Sequence, residues 1–392
     1  MEDAVILSGV RTPIGTFLGA LSSLTAPQLG ACTIREAVKR AGIEPADVDE
    51  VIMGCVLTGG MGQAPARQAA LYGGLPNRIP CMTINKVCGS GMKAVMLAAQ
   101  SIRLNESRIV VAGGMESMSN APYFMDKART GFRMGHGNIL DAVIFDGLWD
   151  PYNNVHMGNC GDLCAKECNY TRAQIDTYAA ESYRRALAAQ KEGRFNAEII
   201  PVAVPQRKGD PLLVNQDEEP AKGNPEKLSS LRPAFSKDGV TTAGNASSID
   251  DGAAALVLSS RAEAEKRRLE PLGRVVSYAT YAQDPQWFTT APVFAIQKLL
   301  AMSQIRVEDV ALFEVNEAFS VVAMVAADKV GIPLDKLNVN GGAVSLGHPI
   351  GMTGARLIIT ALHELRRRGG KYALASLCIG GGEATAILLE AI

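Results

Sequence analysis

The chain has 392 residues, a formal net charge of -1 and 47% hydrophobic residues. This length suggests two or three domains, and the apolar content is that of a chain with a large buried core, which excludes a disordered protein. The near-neutral charge gives no indication of binding to nucleic acid or to an acidic membrane surface.

The start of the chain and its cysteines predict a compartment. No basic segment followed by a long apolar stretch opens the sequence, so no signal peptide is expected. No run of about 18 apolar residues occurs, so no membrane span is expected. The eight cysteines lack the paired spacing of a disulfide framework. They are predicted to be reduced thiols in the cytoplasm.

Short apolar strands alternate with amphipathic helices along the chain. In the first half, strands are predicted at residues 5–8, 50–56 and 109–112, and helices at 28–41 and 90–102. In the second half, strands are predicted at 250–259, 309–314, 337–340 and 372–377, and helices at 316–329 and 351–367. This alternation is typical of βαβ units and predicts a largely parallel sheet with helices on both faces.

One pattern occurs twice: a strand, a glycine-rich turn with a reactive residue, a helix, and a second strand ending near glycines. Residues 83–114 form the first copy and 337–382 the second, with low identity between them. The pattern predicts two similar α/β halves with an active site where their turns meet. Residues 115–250 are rich in Met, Asn, Asp, Gly and Pro and are predicted to be an insertion that binds a large substrate.

Cys88 lies in N-K-V-C-G-S-G-M-K-A, directly before the predicted helix from Ser90. The partial positive charge of a helix N-terminus lowers a thiol pKa, which favours Cys88 as a nucleophile. A lone cysteine in such a turn is more often buried and inert. The presence of a second cysteine and a histidine in similar glycine-rich turns makes the catalytic interpretation stronger.

Those partners are His348 in G-H-P-I-G and Cys378 in C-I-G-G-G. The imidazole can accept the proton of Cys88. A thiol with a pKa near 8.5 is a plausible acid or base, and the N–H groups of its turn can stabilise an oxyanion. Asn316 is either a donor that holds a water or an ordinary helix N-cap. Two thiols with one imidazole favour carbon–carbon bond chemistry beside a thioester.

Cys160, Cys164 and Cys168 recur at every fourth residue on one face of a predicted helix. Three thiols could bind a metal, but cysteine zinc sites favour closer pairs with a second pair elsewhere. No second pair is evident, so a stripe of small core residues is predicted, and no metal.

The ordered motifs resemble the thiolase family over nearly the whole chain, and specifically its short-chain, biosynthetic acetyl-CoA acetyltransferases. The matching segments are R-T-P-I-G-T-F-x-G (11–19), N-K-V-C-G-S-G-M-K-A (85–94), V-A-G-G-M-E-S-M-S (111–119), H-M-G (156–158), L-R-P-A-F (231–235), T-A-G-N-A-S (242–247), N-E-A-F (316–319), G-H-P-I-G (347–351) and C-I-G-G-G (378–382). So many motifs in one order make a chance match implausible.

The resemblance implies an α/β fold, a five-layered αβαβα core of two similar halves with an inserted loop domain. The N-terminal half is expected at 1–118, completed by about 250–270, and the C-terminal half at 271–392. The loop domain at 119–249 is expected to bind coenzyme A.

By the same resemblance, Cys88 is the acylated nucleophile and Cys378 the acid/base. His348 activates Cys88 and forms one oxyanion hole with a water held by Asn316, and the N–H groups of Cys88 and Gly380 form a second hole. The residues implied for the coenzyme A and acyl pocket are His156, Met157, Phe235, Ala243, Ser247, Phe288, Ala318 and Phe319. Lys222 or Arg207 is expected to replace an arginine that the family often has near position 220.

The implied reaction is a ping-pong condensation of two acetyl-CoA to acetoacetyl-CoA and CoA, or its reversal. Acetyl-CoA, acetoacetyl-CoA and CoA are the expected partners, with no cofactor beyond CoA as substrate or product, no nucleic acid and no membrane. A homotetramer built as a dimer of dimers and a role in fatty acid metabolism are also implied. Phe288 and Ala291 in F-T-T-A-P replace a methionine and a glycine of the usual motif, which leaves the acyl-chain preference open.

Four alternatives share the fold. Ketoacyl synthases use one cysteine with two histidines, or with histidine and asparagine, and hydroxymethylglutaryl-CoA synthases need a catalytic glutamate. Cys378 argues against both. A 3-ketoacyl-CoA thiolase with another chain preference and a non-catalytic thiolase-like acyl-CoA binding protein remain alternatives, although such binding proteins commonly lack one member of the Cys–His–Cys set.

Overall fold

The computed structural model describes residues 2–392. Its helices are α1 (Ala26–Arg40), α2 (Pro65–Tyr72), α3 (Ser90–Arg103), α4 (Met157–Glu167), α5 (Arg172–Lys191), α6 (Glu219–Lys222), α7 (Arg261–Arg267), α8 (Ala291–Ser303), α9 (Ser320–Val330), α10 (Ala343–Leu346) and α11 (Ile350–Arg368). Its strands are β1 (Ala4–Arg11), β2 (Gly15–Thr16), β3 (Glu50–Gly54), β4 (Cys81–Ile84), β5 (Ile109–Ser117), β6 (Tyr123–Phe124), β7 (Leu140–Asp141), β8 (Trp149–Asp150), β9 (Val155–His156), β10 (Val202–Val204), β11 (Leu212–Val214), β12 (Asp250–Ser260), β13 (Gly273–Ala282), β14 (Val310–Val315), β15 (Tyr372–Ile379) and β16 (Glu383–Ala391).

Ten strands form one continuous sheet in the order β14-β15-β16-β13-β1-β12-β5-β3-β4, with the short β2 beside β12. The two halves of this sheet meet at β1 and β13, where only Val5 pairs with Arg274 and Ile6 with Gly273. The remaining pairings stay within a half, so each half is a sheet of its own joined to the other by a short seam.

Helices α3 and α11 lie between the two halves of the sheet. Their apolar residues share one core cluster with residues of β5 and β12 on one side and of β15 and β16 on the other. A second cluster packs α1 and α2 on the outer face of the N-terminal half, and a third packs α8 and α9 on the outer face of the C-terminal half. The layers are therefore helix, sheet, helix, sheet, helix.

The prediction of a largely parallel sheet is wrong. The pairs β3–β4, β3–β5 and β14–β15 are parallel, but β1–β12, β5–β12, β13–β16 and β15–β16 are antiparallel. The reason is visible at β15 and β16, which a tight turn joins. Gly381 and Gly382 have φ of 91° and 89° there, a region that glycine adopts without a steric cost. A hairpin of this kind can only give an antiparallel pair.

The helices predicted at 28–41, 90–102 and 351–367 are confirmed within two residues at each end. The helix predicted from Asn316 begins instead at Ser320. Residues 337–340 form only isolated bridges, Phe313 with Leu337 and Val339 with Gly341, and not a strand. Strand β5 continues through both glycines to Ser117 instead of ending at them.

The inserted region is more regular than its composition suggests. It contains α4 and the 20-residue α5, whose start at Thr171 carries a capping box with Gln174. Arg11 fastens this region to the core. Its guanidinium binds Glu198 at 2.7 Å and Asp217 at 2.6 and 2.9 Å, with all three side chains buried. Across residues 2–392, no helix is both long and apolar enough to cross a membrane.

Candidate active site

A cavity of about 340 Å³ lies where α3 and α11 begin. It is lined by most of the residues singled out in the sequence: Cys88, His156, Met157, Phe235, Ala243, Ser247, Phe288, Ala318, Phe319, His348 and Gly380. These residues come from both halves of the sheet and from the inserted region. The fold therefore brings together motifs that lie as far apart in the sequence as Cys88 and Gly380.

Cys88 is half-buried at the turn between β4 and α3. The preceding residue, Val87, has a φ of 46°, which is strained for a β-branched side chain. This conformation sets the path of the backbone into Cys88. Burial raises the pKa of the Cys88 thiol to about 11, although the N–H groups of Gly380 and of Cys88 itself bind the sulfur and lower it. The predicted thiolate is therefore wrong for the empty cavity, because burial outweighs the helix terminus.

His348 is held in one tautomer. The hydroxyl of Thr353 donates to Pro349 O at 2.8 Å. His348 Nδ1 lies 2.6 Å from the same hydroxyl oxygen. Because the hydroxyl proton is already donated to Pro349, the oxygen can only accept a hydrogen bond from Nδ1–H. The proton is thus on Nδ1, and Nε2 presents its lone pair. The amide nitrogen of Asn316 lies 3.5 Å from Nε2.

The surroundings also keep the imidazole neutral. Burial, together with the nearby positive charge of Arg356, lowers the pKa of His348 to about 3. The backbone N–H of His348 donates to Asp250 Oδ2 at 2.7 Å. Gly347, directly before it, has a φ of 100°, so a residue with a side chain would strain this turn. His348 is a neutral base on a fixed backbone.

Asn316 is fully buried after β14 and is not a helix N-cap, since α9 is capped by Phe319. Its backbone N–H donates to Ser376 O at 2.9 Å, which ties it to the strand that leads to Cys378. Its side-chain oxygen is buried and has no hydrogen-bond partner within residues 2–392. A buried amide oxygen of this kind is a ready acceptor for a bound water.

Cys378 is buried near the end of β15 and lies behind the cavity wall, not on it. Burial raises the pKa of Cys378 well above its usual range, and the charge of a Cys88 thiolate would raise it further. The expectation of a pKa near 8.5 for this thiol is therefore wrong. Gly380, two residues after Cys378, lines the same cavity as Cys88, so the turn that follows Cys378 reaches the nucleophile candidate.

Aromatic rings form one wall of the cavity. Phe235 stacks on His156 with ring centroids 4.6 Å apart, and its other neighbour is Phe319, edge to face at 6.3 Å. Phe288 meets Phe319 at 6.3 Å and is only 3% exposed. These rings with Met157 give an apolar channel, which suits a thioester with an acyl chain.

The other wall is a backbone edge. Ser247 donates to Ala318 O from both its N–H and its hydroxyl, each at 3.0 Å. Ala246 forms an antiparallel bridge with Phe319. The T-A-G-N-A-S and N-E-A-F segments therefore lie side by side, with Ala243 exposed at the mouth.

Lys222 is not brought to the cavity. Its amine hydrogen-bonds to the Thr16 hydroxyl, on the side of β2. Arg207 also does not line the cavity. Cys160 and Cys164 are buried in the apolar cluster behind Met157, with Cys168 packed at its edge, as predicted for a core stripe.

Sequence reasoning missed the residues that hold the catalytic turns. Thr353 fixes the tautomer of His348, and Asp250 binds its backbone. Glu116 is fully buried and accepts N–H groups from Val56, Leu57 and Gly351 at 2.8–3.0 Å. The sequence contained one signal for two of these residues, because Glu116 and Asp250 each lie at an end of a buried strand, β5 and β12. A buried charge is costly unless it is paired or hydrogen-bonded.

Comparison with protein families gives two matches that cover nearly the whole chain. Residues 4–262 match the thiolase N-terminal domain, and residues 269–391 match the thiolase C-terminal domain.

Individual relatives agree with this result. The chain is 52% identical to "Acetyl-CoA acetyltransferase 2" of Arabidopsis thaliana, over 99% of this chain and 97% of the relative. It is 50% identical to "Acetyl-CoA acetyltransferase" of Cupriavidus necator, over the full length of both. Among solved structures, the Acat5 thiolase from Ascaris suum in complex with coenzyme A is 44% identical and covers all of both chains with a TM-score of 0.95.

Proposed function

The chain belongs to the thiolase family, and on that premise we propose that it is an acetyl-CoA acetyltransferase that works through Cys88, His348 and Cys378. Two relatives that are 52% and 50% identical to this chain, over 97% and 100% of their own lengths, carry that name. The observation that supports the proposal best is one cavity lined by Cys88, His348 and Gly380, with Cys378 directly behind it.

In the first step, Cys88 attacks the carbonyl of acetyl-CoA, and His348 Nε2 takes the thiol proton. The fixed tautomer supports this role, because the free lone pair is on Nε2. Burial keeps the thiol and the imidazole neutral before this step. The imidazole that has taken the thiol proton then returns it to the departing CoA sulfur.

In the second step, Cys378 passes its thiol proton to His348 Nε2, and the Cys378 thiolate then removes a proton from the methyl carbon of a second acetyl-CoA. The resulting enolate attacks the acetyl group on Cys88, and the Cys88 sulfur leaves and takes the proton from Nε2. Two oxyanion holes serve these steps. His348 Nε2–H and a water on Asn316 form one, which the unpaired amide oxygen supports. The N–H groups of Cys88 and Gly380 form the other, supported by their convergence on the Cys88 sulfur. Each donor contributes about 3 kcal/mol in comparable acyl-transfer sites.

The pocket residues implied by the resemblance belong to this proposal. His156, Met157, Phe235 and Phe319 receive the pantetheine and acyl parts of the substrate. Ala243, Ser247 and Ala318 receive the CoA moiety at the mouth. Lys222 bonds to Thr16 and does not line the cavity, so no contact with the substrate is proposed for it.

The specific preference for a two-carbon acyl group depends on Phe288. Its ring is almost fully buried against Phe319, which shortens the apolar channel. A 3-ketoacyl-CoA thiolase with another chain preference is the second candidate, because this aromatic residue stands where the short-chain motif has methionine.

The organisation of the protein is part of the same proposal. We assign an N-terminal half at 1–118, completed by about 250–270, a loop domain at 119–249 that binds CoA, and a C-terminal half at 271–392. The protein works in the cytoplasm, in fatty acid metabolism, as a homotetramer. Light scattering after gel filtration tests the last statement, and a mass of one or two chains contradicts it.

The decisive experiment is CoA-dependent cleavage of acetoacetyl-CoA, compared with longer and branched 3-ketoacyl-CoAs. Rapid cleavage of the four-carbon substrate is expected, with loss of turnover in Cys88→Ala and in Cys378→Ala. Cys378→Ala should still gain one acetyl group from acetyl-CoA, because only the second step needs that thiol. Cys32→Ala, a half-buried cysteine away from the cavity, is the matched control.

Cleavage only of another chain length would favour the second candidate. Absence of cleavage with every substrate would refute the proposal that the protein is an enzyme. The remaining hypothesis would then be a non-catalytic acyl-CoA binding protein.

A further inference from the structure

A second cavity, of about 450 Å³, lies between α5, α9 and the segment 331–338. It is larger than the catalytic cavity and shares none of its lining residues. A concave site of this size is in the range of small-molecule pockets.

The walls of this cavity are mainly apolar. Met324 and Ala327 of α9 face Ile332, Leu334 and Leu337 of the following segment. Tyr170 and Tyr178 add two aromatic side chains from the opposite side. Aromatic and aliphatic walls of this kind bind the apolar body of an organic ligand.

The charge that remains available in the cavity is negative. Arg185 is the only cation of the lining, and each of its nitrogens is already bound. Nε donates to Glu181 at 2.7 Å, Nη1 to Leu337 O at 2.6 Å and Nη2 to Leu334 O at 3.1 Å. Within residues 2–392, Asp328, at the rim, has only its sequence neighbour Lys329 as a cation, at 3.8 Å. A carboxylate beside tyrosine rings favours a ligand with a positive charge.

Glu317 lies at the floor of the cavity and is 1% exposed. Its carboxylate accepts four hydrogen bonds from three separate segments. The donors are the Tyr178 hydroxyl at 2.8 Å, the Ser182 hydroxyl at 2.8 Å, Asn338 Nδ2 at 2.9 Å and Val344 N at 3.2 Å. A buried carboxylate with this many donors holds those segments in one arrangement.

The same carboxylate is connected to both sides of the catalytic imidazole. Glu317 directly follows Asn316, whose amide lies 3.5 Å from His348 Nε2. Val344 belongs to α10, which ends one residue before Gly347 and so leads directly to His348. A ligand that moves Tyr178 or Asn338 therefore changes the bonds of the residue that fixes both segments.

We propose that this cavity is a second ligand site, for an organic cation with an apolar body, and that its occupant acts on the catalytic turn through Glu317. The ammonium group lies at Asp328 between the tyrosine rings, and the apolar body lies against α9. The effect on turnover rests on the proposed function, whereas binding and the reactivity of Cys88 do not.

The test uses benzyltrimethylammonium, a permanent cation that cannot itself be alkylated, with the full-length protein. Calorimetry and a crystal soaked with the compound should place it in this cavity. Benzyl alcohol, which keeps the ring and lacks the charge, should bind at least about tenfold more weakly, as one lost charge contact of 1.4 kcal/mol implies. Asp328→Asn should weaken binding of the cation similarly, and Glu308→Gln, an exposed acid outside the cavity, should not.

The effect of the bound compound on the catalytic turn is measured by the rate at which iodoacetamide labels Cys88. Benzyltrimethylammonium should change this rate at least twofold in the original chain and not in Asp328→Asn. Ala327→Trp, which fills the cavity, should abolish binding while the protein keeps its circular dichroism spectrum and its basal labelling rate.

Absence of the compound from the cavity, or equal binding to Asp328→Asn, overturns the site. Binding with an unchanged labelling rate overturns the action through Glu317. Both results hold whether or not the protein cleaves acetoacetyl-CoA, so failure of this inference is distinct from failure of the proposed function.

Discussion

At the scale of single residues, burial keeps the two groups proposed for the first step neutral. It raises the pKa of Cys88 to about 11 and lowers that of His348 to about 3. A thiolate–imidazolium pair is thus disfavoured by the pKa of both groups. Alkylation and oxidation of Cys88 are slowed, because the thiolate is the reactive form.

The first prediction concerns the pH dependence of this thiol. Labelling of Cys88 by iodoacetamide should rise about tenfold per pH unit from pH 7 to 10 without a plateau, since the thiolate fraction grows until the pH passes the raised pKa. No inflection from His348 should appear between pH 5 and 8, because its imidazole stays neutral there. Mass spectrometry against Cys88→Ala assigns the label, and N-acetylcysteine serves as the unperturbed thiol. A plateau near pH 8 would contradict the raised pKa.

The second prediction concerns acyl-chain preference. Phe288→Met should change the relative kcat/KM for two 3-ketoacyl-CoA substrates. The ratio of kcat/KM for the six-carbon substrate to kcat/KM for the four-carbon substrate should rise by about tenfold, because a flexible side chain makes room where one or two methylenes must fit. Steady-state cleavage of the two 3-ketoacyl-CoAs gives the ratio. Phe294→Met is the control, since Phe294 is exposed and stacks on Tyr281 away from the cavity. An unchanged ratio would show that another residue limits chain length.

At the scale of elements, the two catalytic turns depend on close contact between α3 and α11. A Cβ at Gly91 would lie 2.8 Å from Ala355 N and 2.9 Å from Gly351 O, both backbone atoms of α11. Only glycine lets the helices approach this closely. The approach in turn sets the separation of Cys88 and His348, each of which lies within a few residues of the start of its helix.

The third prediction follows from this contact. Gly91→Ala should lower the free energy of unfolding by about 1–3 kcal/mol through overpacking, and it should slow acetylation of Cys88 by acetyl-CoA. Urea unfolding and the mass of the acetylated protein measure the two effects. Gln100→Ala, at a half-buried position of the same helix, should change stability by about 0.5 kcal/mol or less. Normal acetylation in Gly91→Ala would mean that the helix spacing does not set the site.

Local patterns were sufficient for some elements and not for others. Helix α11 was predicted within one residue at each end because its apolar period, its preceding proline and the following Gly369 are all local signals. Strand β12 is antiparallel to β1 and β5, which are distant along the chain, and its own sequence pattern does not specify these partners. The motifs contained most of the residues that the fold brings around one cavity, but the direction of the thiol pKa depends on burial by the other half of the chain. For the same reason, Thr353 and Asp250 gained a role only once the fold placed them beside His348.

At the scale of the whole molecule, the two halves share one interior. The seam between β1 and β13 is short, so the central helices carry most of the contact between the halves. Helix α11 is buried along almost its whole length, including Arg356, which pairs with Glu314 at 3.3 Å. A half without its partner would expose one face of this layer.

The fourth prediction is that neither half folds alone. Separately expressed 1–270 and 271–392 should lack a cooperative unfolding transition, because each leaves an apolar face of a central helix in water. The intact chain should unfold in a single transition. Calorimetry with circular dichroism measures both properties. A cooperative transition in 271–392 alone would show that the C-terminal half is an independent folding unit.

The two halves of the molecule repeat one order of elements. From the first strand, the N-terminal half runs β1, α1, β3, α2, β4, α3, β5, β12, and the C-terminal half runs β13, α8, β14, α9, α11, β15, β16, with bridges at 337–341 where the former has β4. Each half therefore contributes one central helix, and the turn before that helix, to the same cavity. The site is complete only where the two repeats meet, so neither half contains it alone.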